Sequence, residues 1–124
     1  LMYLHLAHTK LDAYHLSRKL VLECYKLSRL FPDSERFGLV SQIRRAATSV
    51  SLNLAEGSAR RTKAERRRFY EISRSSLVEI DAILDASFDL KYCERGDMDS
   101  TGEMISRCFK TITGMMRANE SGRE

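Results

Sequence analysis

Apolar residues recur along this chain at the spacing of an α-helix, in four successive stretches. The stretches cover residues 9–30, 36–58, 62–92 and 98–118. Within each one an apolar side chain returns every three or four residues, which places these side chains on one face of a helix. No stretch alternates apolar and polar residues with the period of two that marks a half-buried strand. The pattern therefore predicts four helices and no sheet.

Residues that start or stop helices lie between these stretches. Pro32 ends the first helix because its ring cannot continue the hydrogen-bond ladder and restricts the residue before it. Gly57 favours an end to the second helix, and Thr62 begins the third with the hydroxyl of a capping box. Because the connections are short, consecutive helices should run antiparallel. We therefore predict an all-α, up-and-down antiparallel four-helix bundle that comprises residues 1–124 as a single domain.

The apolar stripes of two helices contain unusual residues. The second helix is rich in alanine and serine, and such small side chains let neighbouring helices approach closely. Asn53 lies on its stripe, so we expect the amide to be buried and bonded to a neighbouring helix or to Glu56. The stripe of the third helix runs through Phe69, Ile72 and Ser76, which are therefore predicted to face the core.

The composition is that of a water-soluble globular protein, with 43% apolar and 31% charged residues. No apolar run approaches the roughly 20 residues that a membrane span needs, and the first residues lack the basic flank of a signal peptide. The cysteines, Cys24, Cys93 and Cys108, are odd in number and irregularly spaced, which argues against a disulfide framework. We therefore expect a cytoplasmic protein without a membrane partner.

The sequence contains few arrangements that could support catalysis. His8, Asp12 and His15 share one helical face and are of metal-ligand type. They have no fourth ligand and no HExxH spacing, so we interpret them as surface residues. No Glu-x-x-His pair of the di-iron bundles, glycine-rich phosphate loop or nucleophile elbow occurs. We expect neither an enzyme nor a metal or cofactor site.

The positive charge of the chain is concentrated in one segment. The net charge is +4, but residues 60–68 alone carry six cations and a single acid, Glu65. Clustered arginines bind phosphates through paired, permanently charged hydrogen bonds, so the segment is a candidate nucleic-acid site. The alternative is a solvated face or a set of intersubunit ion pairs. The candidate residues are Arg60, Arg61, Lys63, Arg66, Arg67 and Arg68, with Arg44 and Arg45 of the second helix as an extension.

Four residues of the second helix form a line away from its apolar stripe. One of them, Leu52, points nearly opposite the core and has charged neighbours. Such a residue indicates a self-association contact, although a single exposed leucine is also common on monomeric proteins. The predicted oligomer interface comprises Arg45, Ser49, Leu52 and Glu56.

Three blocks of sequence together resemble a known family. They are Phe31-Pro32-Asp33-Ser34-Glu35-Arg36-Phe37-Gly38-Leu39, Gln42-Ile43-Arg44-Arg45-Ala46-Ala47 and Asn53-Leu54-Ala55-Glu56-Gly57. Over residues 9–118 the chain resembles the four helix bundle proteins, also called 23S rRNA-intervening-sequence proteins, to which the accessory protein of diversity-generating retroelements is related. The third helix departs from the family pattern at residues 72–76, where a small, glycine-containing stretch is expected.

The resemblance implies a homopentameric ring and no established catalysis. The retroelement relatives bind nucleic acid and a reverse transcriptase, so the resemblance also implies a nucleic-acid or protein partner. The leading hypothesis is a non-enzymatic accessory or scaffold protein that binds RNA or DNA through the basic segment. The alternative is a structural or adaptor oligomer that binds a protein partner, with its arginines in intersubunit ion pairs.

Overall fold

The computed structural model describes residues 1–121 and contains four α-helices, with no strand among those residues. This confirms the predicted all-α class. α1 and α2 begin about three residues later than predicted, because Ala7–Lys10 and Asp33–Glu35 form separate 3-10 turns before them. The helices are α1 (Asp12–Ser28), α2 (Leu39–Ser58), α3 (Lys63–Asp89) and α4 (Arg95–Ser121).

Side-chain hydrogen bonds fix the starts of two helices. Thr62 Oγ1 accepts the N–H of Glu65 at 3.1 Å, which confirms the predicted cap of α3. At the start of α2, Glu35 Oε1 accepts the N–H of Leu39 at 3.1 Å, and Glu35 Oε2 accepts the hydroxyl of Tyr92 at 2.7 Å. The bond from Tyr92 and then that from Leu39 lower the pKa of the Glu35 carboxyl. Glu35 thus joins the start of α2 to the connection between α3 and α4.

Each helix packs against two others, because α2 and α4 both contact α1 and α3. Ser17 of α1 donates to Ser51 of α2 at 3.0 Å, whereas Arg44 of α2 donates to Ser28 at the end of α1 at 2.9 Å. α1 and α2 are therefore antiparallel, and paired hydrogen bonds show the same for α2 with α3 and for α3 with α4. The four helices enclose one apolar core, which includes Leu20, Cys24, Ile43, Val50, Leu54, Leu77, Ile80 and Ile112.

α2 and α3 approach each other closely at Gly57. A Cβ atom at this position would lie 2.8 Å from Phe69 Cβ and 2.8 Å from Tyr70 Cε1, a distance at which something must shift. Gly57 lies inside α2, which continues to Ser58. The glycine therefore permits the close approach of α3, in addition to lying at the end of its own helix.

The core face of α3 differs from the prediction in its first half. Tyr70 and Ser73 are buried, whereas Ile72 is 43% exposed and Phe69 is half-buried. The predicted stripe is wrong by one residue here because the pattern favoured the apolar Ile72 over its polar neighbour Ser73, and the predicted core residue Ser76 is only half-buried. In the structure the Ser73 hydroxyl donates to the carbonyl of Val50 at 2.9 Å, so it is satisfied inside the contact between α2 and α3.

The prediction for Asn53 is also wrong. Its side chain is half-buried, and its amide donates to the carbonyl of Ser49 at 2.9 Å and to Ser49 Oγ at 3.0 Å. Both acceptors are one turn earlier on the same helix, so Asn53 needs neither a neighbouring backbone nor Glu56. Ser49 Oγ accepts a further hydrogen bond from Ser76 of α3 at 2.9 Å, which links the amide indirectly to the next helix.

Candidate nucleic-acid interface

The six cations of residues 60–68 lie at one end of the bundle, which we call the basic end. The turn between α2 and α3 and the first turns of α3 provide these residues, and the last turns of α4 pack beside them. Their side chains have different surroundings. Three of these side chains make hydrogen bonds, ion pairs or ring contacts within the described residues 1–121, and the other three make none there.

Arg66 is part of the internal structure of the basic end. Its Nε donates to Asn119 Oδ1 of α4 at 2.9 Å, and its Nη1 donates to the carbonyls of Arg60 and Arg61 at 3.1 and 3.0 Å. Asn119 is 1% exposed, and its amide donates to the carbonyl of Lys63 at 3.1 Å. Arg66 therefore fastens the α2–α3 turn to α4, and its guanidinium is engaged by these acceptors.

Arg67 and Arg60 are more exposed but have acidic or aromatic partners. Arg67 Nε donates to Glu71 Oε1 at 2.9 Å, and Arg67 Nη1 lies 2.9 Å from Glu120 Oε1. The hydrogen bond to Glu71 and then the charge of Glu120 raise the pKa of Arg67. The guanidinium of Arg60 lies 4.9 Å from the centre of the Phe69 ring, and its Nη2 is 3.8 Å from a Glu56 carboxylate oxygen. These partners offset part of the charge of both arginines.

Arg61, Lys63 and Arg68 are the cations available to a ligand. All three are exposed, and the side chain of none of them makes a hydrogen bond or ion pair with another residue within 1–121. Lys63 is also the first residue of α3, where the helix dipole disfavours a cation. A bound anion would relieve this repulsion. The sequence did not distinguish these three residues from their neighbours, because the distinction depends on which arginines reach α4 and the acids.

Arg44 and Arg45 lie away from the basic end. Arg44 Nε donates to Ser28 at 2.9 Å, and its guanidinium stacks 4.6 Å from the centre of the Tyr25 ring. Both partners lie in the last turns of α1, at the end of the bundle opposite the basic end. Arg45 pairs with Glu79 of α3. At a rise of 1.5 Å per residue, Arg44 is about 24 Å along α2 from Arg60. Arg44 and Arg45 are therefore not part of the same surface as the cations of the basic end.

The predicted interface residues of α2 have two different orientations. Ser49 lies in the contact with α3, where it bonds to Ser76. Leu52, in contrast, is 62% exposed and lies beside Leu22 of α1, which is 71% exposed. The two leucines flank an open groove of about 570 Å³ between α1 and α2. The sequence did not indicate Leu22, because it lies off the apolar stripe of α1 and nothing in the sequence shows that it is next to Leu52.

A second region that the sequence analysis missed is acidic. Residues 79–103 contain eight acids against two cations, Lys91 and Arg95. These residues form the second half of α3 and the first turns of α4, at the end of the bundle opposite the basic end. A charge count along the chain would have found them, because the net charge of +4 conceals two opposite concentrations.

The histidine-rich start of α1 is occupied by internal contacts. His15 Nε2 lies 2.8 Å from the carbonyl of Thr9, and the ring of His8 packs edge-on against Tyr14. Among residues 1–121 no three histidine, cysteine or acidic side chains lie close enough to hold a metal ion. The helices in the same range also include none that is long and apolar enough to pass through a lipid bilayer.

The fold and the surface define a class of protein. It is a four-helix, all-α protein with a basic end, an acidic opposite end and an exposed apolar groove on its side. The family model described as 23S rRNA-intervening sequence protein matches residues 9–114. The chain belongs to this family, which confirms the resemblance found in its sequence blocks. No curated protein matches the chain significantly.

Proposed function

We propose that this protein is a cytoplasmic, non-enzymatic accessory protein that binds RNA through the basic end. The observation that supports this function is the presence of three exposed cationic side chains, those of Arg61, Lys63 and Arg68, that have no hydrogen-bond or ion-pair partner within residues 1–121. The description of the family, 23S rRNA-intervening sequence protein, also refers to a ribosomal RNA.

The affinity of one copy for RNA would be modest. Three phosphate contacts release few counterions, and the first turns of α3 expose no aromatic side chain on which bases can stack. We therefore propose that the chain acts as a homo-oligomer, a homopentamer by its resemblance to the family. Because the basic end would be repeated in every subunit, several weak contacts could bind one RNA at once, and the overall affinity of the oligomer would exceed that of a single copy.

The function is tested by neutralising the three available cations together. In the triple variant Arg61→Gln, Lys63→Gln, Arg68→Gln, we expect weaker binding to a single-stranded RNA in a mobility-shift titration. The slope of log affinity against log salt should decrease by about two per bound copy, at roughly 0.7 for each lost phosphate contact. Single-stranded DNA in the same titration would show whether the 2′-hydroxyl contributes to the binding.

The matched control removes the same charge elsewhere. Arg36, Lys91 and Arg107 are exposed and lie outside the basic end, so their replacement by glutamine should leave the salt slope unchanged. If both triple variants lost the same amount of affinity, binding would depend on net charge alone. A triple variant of the basic end with the wild-type affinity and slope would contradict the proposal.

A second candidate function is a structural or adaptor oligomer that binds a protein partner. It is favoured by Arg60 and Arg67, which already pair with carboxylates and show that this surface accommodates ion pairs. In this case Arg61, Lys63 and Arg68 would pair with acids of a neighbouring subunit. The triple variant would then dissociate the oligomer, which light scattering would show. An unchanged mass with lost RNA binding would favour the first function.

A further inference from the structure

We infer that copies of this chain associate head-to-tail, with the outer face of α1 and α2 on one copy against the outer face of α3 and α4 on the next. The inference rests on the homo-oligomer proposed above and identifies its two contact surfaces. A ring with an odd number of subunits requires such a contact between two different surfaces, since a self-complementary surface produces pairs.

The first surface is the α1–α2 face, formed by Arg18, Leu22, Lys26, Arg29 and Leu52. Its two leucines are the exposed side chains that flank the groove between α1 and α2. The three cations follow along α1 at spacings that keep them on the same side as Leu22. This face is therefore apolar at its centre and positively charged along α1.

The second surface is the α3–α4 face, formed by Val78, Asp81, Asp85, Phe88 and Phe109. Its apolar side chains are exposed by 58% at Val78, 47% at Phe88 and 39% at Phe109. Two grooves of about 310 and 640 Å³ between α3 and α4 share Asp81 and Gly102 in their linings, so they join lengthwise. The face is thus apolar at its centre and rimmed by carboxylates.

Gly102 keeps this second surface open. A Cβ atom at Gly102 would have no other atom within 4 Å, so the groove there is unfilled by the chain itself. The acids Asp89 and Asp99 also line its wider part, together with the cation Arg95, and Lys110 lines the narrower part. The surface therefore offers an apolar channel with a rim of net negative charge, four carboxylates against two cations, which complements the leucines and cations of the α1–α2 face.

The two surfaces lie on opposite sides of the bundle. Each of α1 and α3 contacts α2 and α4, but α1 and α3 do not contact each other, so the four helices form a square in cross-section. The α1–α2 pair and the α3–α4 pair are opposite sides of this square. One copy can consequently use both surfaces at once, for two different neighbours. This is the condition for an assembly that continues beyond a dimer.

The two surfaces also match in height along the bundle. Ser17 of α1 bonds to Ser51, and Ser73 of α3 bonds to the adjacent Val50, so Ser17 and Ser73 lie at the same level. α1 and α3 run in the same direction, because both are antiparallel to α2. Leu22 is five residues beyond Ser17, and Val78 is five residues beyond Ser73. Both are therefore about 7.5 Å further along the bundle axis, at 1.5 Å per residue.

The same relation pairs opposite charges. Arg29 lies twelve residues beyond Ser17 and Asp85 lies twelve residues beyond Ser73, so these two are also level. A neighbour generated by rotation about an axis parallel to the helices keeps every level unchanged. Such a rotation brings Leu22 towards Val78 and Arg29 towards Asp85. Apolar and charged contacts would thus form together in a single register.

A test uses one disruptive substitution on each surface. In Leu22→Glu a carboxylate faces the acidic rim, and in Val78→Glu a carboxylate replaces the apolar centre. We expect either variant alone to be monomeric by light scattering at a concentration where the wild type is assembled, with the dissociation constant raised about tenfold or more by the buried charge. An equimolar mixture should form a 1:1 heterodimer, because each variant retains the surface that the other lacks.

The matched control is Ile72→Glu on the same helix as Val78. Ile72 is 43% exposed and lines a groove along α3 together with Ser76, which bonds to Ser49 of α2, so it lies on neither surface and this variant should assemble as the wild type. A charge exchange is a milder probe: Arg29→Asp or Asp85→Arg alone should weaken assembly, and the two together should restore it. Circular dichroism establishes that each variant is folded.

Four results would overturn the inference. They are a monomeric wild type, wild-type assembly of both glutamate variants, dissociation of only one of them, and failure of the mixture to form a heterodimer. The outcome is independent of RNA binding, because neither surface includes Arg61, Lys63 or Arg68. A protein that assembles as described but has no RNA affinity would contradict the proposed function and leave this inference standing.

Discussion

At the scale of single residues, adjacent arginines have different roles. Arg66 and Arg68 are separated by one residue, yet the Arg66 side chain bonds three oxygen acceptors whereas the Arg68 side chain has no hydrogen-bond or ion-pair partner within residues 1–121. The difference arises from the helix, which turns 200° over two residues and directs one side chain to α4 and the other to solvent. Composition alone could not separate them.

We predict that Arg66→Ala destabilises the protein by about 2–3 kcal/mol, because it removes charged hydrogen bonds and leaves the buried Asn119 Oδ1 without this donor. Urea unfolding followed by circular dichroism measures the change. Arg68→Ala is the control and should alter the free energy of unfolding by less than about 0.5 kcal/mol. Equal losses in both variants would show that Arg66 has no special structural role.

At the scale of elements, the number of helices followed from the sequence, and their ends followed to within about three residues, but the seam between α2 and α3 did not. Hydrophobic periodicity favoured the apolar Ile72 over its polar neighbour Ser73, whereas the hydroxyls of Ser73 and Ser76 both bond across the seam. The periodicity of α3 was therefore shifted by one residue where its helix–helix contact is polar. Farther along α3, where Leu77 and Ile80 are fully buried, the pattern is reliable because apolar burial determines the contact.

Gly57 provides the prediction for this seam. Gly57→Ala should destabilise the protein by about 1–3 kcal/mol, because the new methyl group would overlap the side chains of Phe69 and Tyr70. Gly114→Ala is the matched control within a helix, since a Cβ there meets nothing within 4 Å. It should stabilise α4 by about 0.5–1 kcal/mol. Thermal unfolding of both variants checks the opposite signs, and a stabilised Gly57→Ala would contradict the close approach.

At the scale of the whole molecule, two thiols connect stability to alkaline pH. Cys24 of α1 and Cys108 of α4 are fully buried and free. Burial raises the pKa of Cys24 to about 12, with a smaller contribution from the charge of Glu23, and burial raises that of Cys108 to about 11. The unfolded chain releases these protons from about pH 9. Between these values the folded state binds more protons, so stability falls as the pH rises.

Each thiol should remove about 1.4 kcal/mol of stability per pH unit in this alkaline range. The measurement is a series of urea titrations from pH 8 to pH 10.5, comparing the wild type with Cys24→Ala, Cys108→Ala. The double variant is expected to be less stable at pH 8 because of the cavity, but its alkaline slope should be smaller. Parallel slopes in the two proteins would assign the alkaline loss to other groups.

The candidate site was only partly accessible from the sequence at this largest scale. The basic segment is obvious as a run of letters, and its position at one end of the bundle follows from the turn at residues 59–62. The opposing acids are spread over two helices and their connection, so they form a region only when α3 and α4 are paired. The exposed Leu22 and Val78 likewise could not be related from the sequence, because their equal level along the bundle axis depends on how α1 and α3 both pack against α2.

The segregation of charge along the bundle makes the molecule an electric dipole parallel to its helices. A polyanion attracts the α2–α3 turn and repels the acids of residues 79–103, so a copy would be oriented before contact, within a screening distance of about 10 Å at 0.1 M salt. In the level-preserving assembly inferred above, all dipoles would point the same way. The assembly would have one cationic rim and one anionic rim, and RNA could be held on only one of its two sides.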